Sequence, residues 1–204
     1  MAHGLYEDRL RELLHLLKYA GMEPVADHLG ELLARQVLAV EGMPAKMLVV
    51  PVPLFRAKRQ QRGFNQAELL AQAAVKALRR ARPEWTLTVA TGVLERRRAT
   101  QSQAGLTPHK RRANVRGAFF APFPDKLKGA DVLLIDDIYT TGATARACAQ
   151  ALRRAGARSV HVATVARAQR QEMIQPPATH AKDVPMHEDV ALWDAEFVPA
   201  ARGA

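Results

Sequence analysis

The sequence predicts an α/β fold, a mostly parallel sheet flanked by helices, with a flexible basic hairpin and an irregular C-terminal tail. Three observations predict it. Short apolar runs alternate with helical repeats between residues 43 and 168, the order of βαβ units rather than of a bundle or sandwich. The run Val132-Leu133-Leu134-Ile135 is continuously apolar, which suits a strand buried on both faces. Two acids, Asp136 and Asp137, end that run, and a hydroxyl-rich loop around Gly142 follows, where open α/β sheets hold their ligands.

The elements follow in order. Leu10, Leu13, Leu14 and Leu17 recur at helical spacing, as do Val25, Leu29, Leu32 and Leu33, with Gly21 and Pro24 between them; they predict an N-terminal helical segment over 1–42, packed on the core. The run Met47–Pro53 reads as a strand that Pro51 and Pro53 terminate. Ala67, Leu70, Ala71, Ala74, Val75 and Leu78 form the next helical stripe. Thr86–Leu94 alternates like a strand, and Gly117–Phe120 reads as its return partner. After the strand at 132–135 comes a helix carrying Ala143, Ala147, Ala151 and Leu152, closed by Gly156, and then a last strand over Ser159–Val165. Residues 43–168 are thus one domain. From Gln169 the periodicity fades among Pro176, Pro177, Pro185 and Pro199, so 169–204 is expected to be an irregular, disordered tail.

A chain of 204 residues can bury one such core. Its hydrophobic fraction of 48% and charged fraction of 25% exclude global disorder. The net charge of +10 is unevenly spread: residues 1–42 hold four basic and seven acidic side chains, and residues 171–204 hold two and six. The centre is therefore strongly positive and suits a polyanion such as pyrophosphate, a nucleotide or nucleic acid. Cys148 is the single cysteine, which excludes a disulfide framework and a cysteine zinc site; beside alanines it reads as a packing residue. No apolar run approaches a membrane span and no signal peptide is evident, so a cytoplasmic location is expected.

The chemistry concentrates at four places. Asp136 and Asp137 stand at a strand end, where carboxylates can accept hydrogen bonds from sugar hydroxyls. Tyr139, Thr140, Thr141, Gly142, Ala143 and Thr144 offer backbone N–H groups, hydroxyls and a helix N-terminus, which together suit a phosphate. The segment Leu54–Gln66 holds four cations and no acid; read as a loop at the same sheet edge, it offers Lys58, Arg59, Arg62 and the flexible Gly63 to a pyrophosphate. Residues 96–116 are long, polar and basic, the properties of a lid that excludes water from a reacting sugar carbon; Arg98, Gln103, Arg111 and Asn114 would come from it. Two other readings of the acid pair fail. A receiver domain carries its pair near the start, and a Walker B strand needs an upstream G-x-x-x-x-G-K-[ST], which this chain lacks. His109 and His161 stand alone and read as solvated or packed.

The strand, the acid pair and the Thr-Gly-x-Thr at Thr141–Thr144 resemble the phosphoribosyl-pyrophosphate motif of the type I phosphoribosyltransferases. The loops narrow the resemblance. Arg59-x-x-Arg-Gly-Phe-Asn-Gln, Arg96-x-Arg-x-Thr-x-x-Gln, Arg111-x-x-Asn-x-x-Gly-Ala-Phe and Leu17-Lys-Tyr-Ala-Gly are similar to the ComF family. The resemblance runs from about residue 5 to Arg167. It implies Mg2+ held mainly by the ligand with no direct protein ligand, phosphoribosyl pyrophosphate or ribose phosphate as the bound molecule, and phosphoribosyl transfer with release of pyrophosphate. The chain departs from many members in having no cysteine zinc ribbon. It also has Thr140 where purine-salvage enzymes carry an acid against the base, and a neutral hydroxyl is a poor general base. The rival class is a non-catalytic competence or DNA-uptake protein that contacts single-stranded DNA, competence proteins or nucleotides. A homo-oligomer is compatible with either class, and no membrane partner is expected.

Overall fold

The structure is a computed structural model that describes residues 1–5, 8–20, 22–98, 115 and 117–168, all within one compact unit. Its elements are β1 (Ala2–Leu5), α1 (Asp8–Ala20), α2 (Glu23–Leu38), β2 (Lys46–Pro51), α3 (Arg56–Arg62), α4 (Gln66–Ala81), β3 (Thr86–Val89), β4 (Glu95–Arg96), β5 (Phe119–Phe120), a 3-10 turn (Pro124–Lys126), β6 (Asp131–Tyr139), α5 (Ala143–Arg154) and β7 (Ser159–Arg167). Five strands form one parallel sheet in the order β1-β7-β6-β2-β3.

The central strand explains the two-sided core. Side chains alternate across a pleat, so Leu133 and Ile135 pack with Leu14, Leu17, Leu29 and Leu70 of the α1, α2 and α4 layer. Val132 and Leu134 pack on the opposite face with Cys148, Leu152, Ala118 and Phe119. All four residues are fully buried, as a continuous apolar run requires. The helices α2 and α4 approach closely at Gly30, where a Cβ would lie 2.8 Å from the Ala73 backbone carbon; any side chain there would force the helices apart.

The predicted sheet class holds, and four local expectations change. Asp136 and Asp137 do not end their strand: β6 continues to Tyr139 because β7 continues beside it, pairing Tyr139 with Arg167. The basic segment after β2 is the helix α3 over Arg56–Arg62, not a loop. Its Ala, Lys, Arg and Gln residues are good helix formers, and Gly63 at φ 79° caps it. The strand predicted over Thr86–Leu94 stops at Val89, and Phe119–Phe120 pairs instead with Glu95–Arg96 in a separate antiparallel ribbon. Finally, Ala2–Leu5 adds an edge strand ahead of the expected helices, pairing in parallel with β7. Among the described residues no helix is long and apolar enough to cross a membrane. The expected tail over 169–204 lies outside the described residues.

Candidate functional site

The extension of β6 past Ile135 sets the geometry of the acid pair. Because successive side chains alternate, Asp137 falls on the same face as Leu133 and Ile135, and Asp136 on the face of Val132 and Leu134. Each carboxylate therefore meets a different layer. Asp137, 8% exposed, is reached by Lys18 of α1, whose Nζ lies 2.9 Å from Oδ2. The Nε2 of Gln66, at the start of α4, donates to the same oxygen at 3.4 Å. Asp136 accepts the backbone N–H of Asp137 at 3.0 Å; the charge of Lys18 reaches it too, and its own charge acts on Arg96.

Electrostatics separate the two acids. Burial, reinforced by the neighbouring charge of Asp137, holds the Asp136 carboxyl well above the usual carboxylate range. Burial also works against Asp137, but the ion pair and hydrogen bond from Lys18, with further hydrogen bonds, bring it below that range. Asp137 is thus the resident anion, while Asp136 carries its charge at a cost. Burial and the charge of Asp136 push the Cys148 thiol upward, so this cysteine packs and does not react, as its sequence context suggested.

The phosphate-loop residues lie beside the pair. A cavity of about 260 Å³ is lined by Asp136, Asp137, Tyr139, Thr140, Gly142, Ala143 and Thr144 together with Lys18, Arg96 and Thr164. Gly142 is the N-cap of α5 at φ 71°, with no side-chain cap on the helix, which leaves N–H donors at its N-terminus for a ligand. A Cβ on Gly142 would lie 2.6 Å from Cζ of Tyr139, so any side chain there must adopt a positive φ and also push the ring aside. Arg146 ties the loop from within the helix by donating to the Thr141 carbonyl at 2.6 Å. The Thr141 hydroxyl is buried and has no hydrogen-bond partner among the described residues.

The other predicted residues are placed less directly. Arg59 pairs with Glu68 at 3.1 Å, and Arg62 donates to Gln66 at 2.6 Å while its guanidinium lies 5.8 Å from the Tyr19 ring centre. Neither lines the cavity, yet Arg62 is only one side chain removed from Asp137, through Gln66. Lys58 is exposed on α3, and Gly63 ends that helix. Arg98 is exposed just beyond β4; Gln103, Arg111 and Asn114, with most of the predicted lid, lie outside the described residues. Sequence reasoning missed Lys18, Thr164 and the direct role of Arg96 in the cavity. Thr164 could have been found from β7, since it pairs with Asp136 in register.

The donor set bears on a metal. The cavity offers two carboxylates, one already bound to an ammonium, and among the described residues no group of three or more His, Cys, Asp or Glu side chains converges. Such a site fits Mg2+ that keeps its waters and ligand phosphates, not a cation caged by protein.

Comparison with known proteins identifies the domain family. Residues 61–199 match the phosphoribosyl transferase domain family. The chain is 35% identical over 160 residues to the DNA utilization protein YhgH of Salmonella typhi, covering 77% of this chain and 66% of that protein. It is 28% identical to Competence protein F of Haemophilus influenzae over 81% of this chain and 71% of that one. It is also 28% identical to Competence protein ComFC of Bacillus subtilis over 74% and 56%. The chain thus spans slightly less than two thirds of the YhgH relative. On the strength of the family match, the chain belongs to the phosphoribosyl transferase domain family, and its likeness to YhgH and to the competence proteins F and ComFC is consistent with the ComF group.

Proposed function

We propose that this protein binds phosphoribosyl pyrophosphate with Mg2+ and transfers the phosphoribosyl group to an acceptor. The observation that carries the reading is the cavity itself: the acid pair and an uncapped helix N-terminus line it together, while the Thr141 hydroxyl of the intervening loop, which does not line it, is buried without a partner among the described residues. A ligand with vicinal hydroxyls at one end and a phosphate at the other matches both halves. The 5′-phosphate would take the N–H groups of Gly142–Thr144 and the Thr140, Thr141 and Thr144 hydroxyls. The ribose hydroxyls would donate to Asp136 and Asp137.

In the reaction, the bond between the ribose anomeric carbon and pyrophosphate breaks, and pyrophosphate leaves with the electron pair. The acceptor's lone pair forms the new bond, and the acceptor's proton passes to solvent. Positive charge grows on the ribose ring in between, and the Asp137 carboxylate, held in its charged form by Lys18, would stabilise it. Bound Mg2+ would offset the charge of the departing pyrophosphate. The α3 cations Lys58, Arg59 and Arg62 would flank the pyrophosphate end, with Gly63 allowing a close backbone approach and Arg62 joined to the site through Gln66. Thermal-shift titration with phosphoribosyl pyrophosphate and Mg2+ tests the reading: saturating ligand, at a hundredfold excess over Kd, stabilises by about 2.7 kcal/mol. A melting temperature unmoved at millimolar ligand overturns it.

A second reading is supported by a different observation. Phe120 and Phe123 are 42% and 49% exposed, and each is covered by a cation, Arg97 at 3.6 Å and Lys126 at 4.9 Å from the ring centres. Exposed aromatic rings with adjacent cations suit unpaired bases and their phosphates, in keeping with the names of the relatives. Binding of a fluorescent oligothymidylate that is lost in the Phe120→Ala, Phe123→Ala double variant supports this use; unchanged binding removes it.

A further inference from the structure

We infer that Lys18 is a positioning residue of this site: its ammonium is a built-in counter-ion that holds Asp137 as a hydroxyl acceptor and keeps divalent cations off the acid pair. The role toward a ribose rests on the function proposed above; the role toward cations does not. Lys18 comes from α1, far from β6 in sequence, and α1 is anchored by Leu14 and Leu17, both fully buried in the core. That anchoring delivers the next residue, Lys18, into the cavity. Its Nζ lies 2.9 Å from Asp137 Oδ2, with the two side chains only 24% and 11% exposed. This is the place that a cation bound to the carboxylate would take.

Both carboxylates line the one cavity and both feel the charge of Lys18, so a metal drawing on the pair would have to displace that ammonium from Asp137. Arg96 contributes the second positive charge lining the cavity, on the side of Asp136. Lys18 and Arg96 stand against Asp137, which keeps its charge, and Asp136, which carries its charge at a cost, so the wall has no excess negative charge to draw in a cation. The Gln66 amide holds Asp137 from α4, so the carboxylate is fixed from two sides and presents a defined edge to the ligand.

The test uses the full chain without ligand, and Mn2+ as the probe, followed by electron paramagnetic resonance. Lys18→Met keeps the aliphatic stem and removes the charge. It should gain an Mn2+ site absent from the unsubstituted protein, and adding Asp137→Asn should abolish that site. Lys18→Arg should behave like the unsubstituted protein. In parallel, ribose 5-phosphate affinity should fall about tenfold in Lys18→Met, the scale of a lost charge-assisted contact, and return in Lys18→Arg. Mn2+ uptake by Lys18→Met no stronger than by the unsubstituted protein overturns the inference, as does an unsubstituted protein that already binds Mn2+ through Asp137. If the unsubstituted protein binds no ribose 5-phosphate, the proposed function fails while the Mn2+ comparison still decides the role of Lys18.

Discussion

Arg158 clamps Asp131 across the starts of β7 and β6, at the end of the sheet opposite the acid pair. Its guanidinium donates to both carboxylate oxygens, and the Ser159 hydroxyl adds a bond of 2.7 Å. These hydrogen bonds, with the charge of Arg158, lower the Asp131 carboxyl to about 2. The unfolded chain binds that proton more readily than the folded one, so the clamp's contribution is complete above the ordinary carboxylate value and is lost as pH falls toward 2. Thermal melts between pH 2 and 5 should show a steeper acid loss in the unsubstituted protein than in Asp131→Asn, while ribose 5-phosphate binding at pH 7 is equal in both.

The two acids of the site should respond oppositely to neutralisation. Asp136→Asn removes a charge that burial and Asp137 already disfavour, and the amide oxygen can still accept the Asp137 N–H. Stability at pH 7 should hold or rise. Asp137→Asn deprives Lys18 of its carboxylate and should cost about 1–3 kcal/mol, below the range for a fully buried pair because Lys18 reaches solvent. Urea unfolding measures the difference, and phosphoribosyl-pyrophosphate affinity should fall in both variants.

Gly142→Ala should damage the phosphate loop twice, by its positive φ and by contact with the Tyr139 ring. A loss of more than about 1 kcal/mol in urea unfolding is expected from the backbone alone. Combining it with Tyr139→Ala should recover part of that loss, a positive coupling that a double-mutant cycle reads directly. If the two effects simply add, the ring does not limit residue 142.

Arg59→Ala with Arg62→Ala should distinguish the two ends of the ligand. Both side chains lie on exposed α3, outside the sugar-phosphate cavity. Calorimetric titration should show weakened phosphoribosyl-pyrophosphate binding and nearly unchanged ribose 5-phosphate binding. Equal loss for both ligands would place these cations at the sugar, not at the pyrophosphate.

The contrast between what was legible in the sequence and what was not has physical causes. Val132–Ile135 announces a two-sided core because every residue in the run is apolar, and the hydroxyl loop after it announces a helix N-terminus. The split of Asp136 and Asp137 onto opposite faces is hidden, because it depends on β7 extending far enough to keep β6 pleated through Tyr139. The helix α3 is hidden because it buries no residue and so leaves no apolar stripe. Lys18 is hidden because it follows Leu17 in an ordinary amphipathic repeat, where a lysine reads as solvated surface. Only the three-dimensional return of α1 to the end of β6 distinguishes it.

The placement of β1 has a consequence for how the protein comes into being. Ala2 pairs with Thr164 and Leu5 with Arg167, so β1 docks against a strand that is synthesised much later than itself. Its backbone must wait unpaired while the intervening segments are made, and the long loop it closes slows the search. Lys18 waits with it, since Asp137 is also a late arrival. A nascent chain stalled before β7 would therefore have its central strand without a finished site.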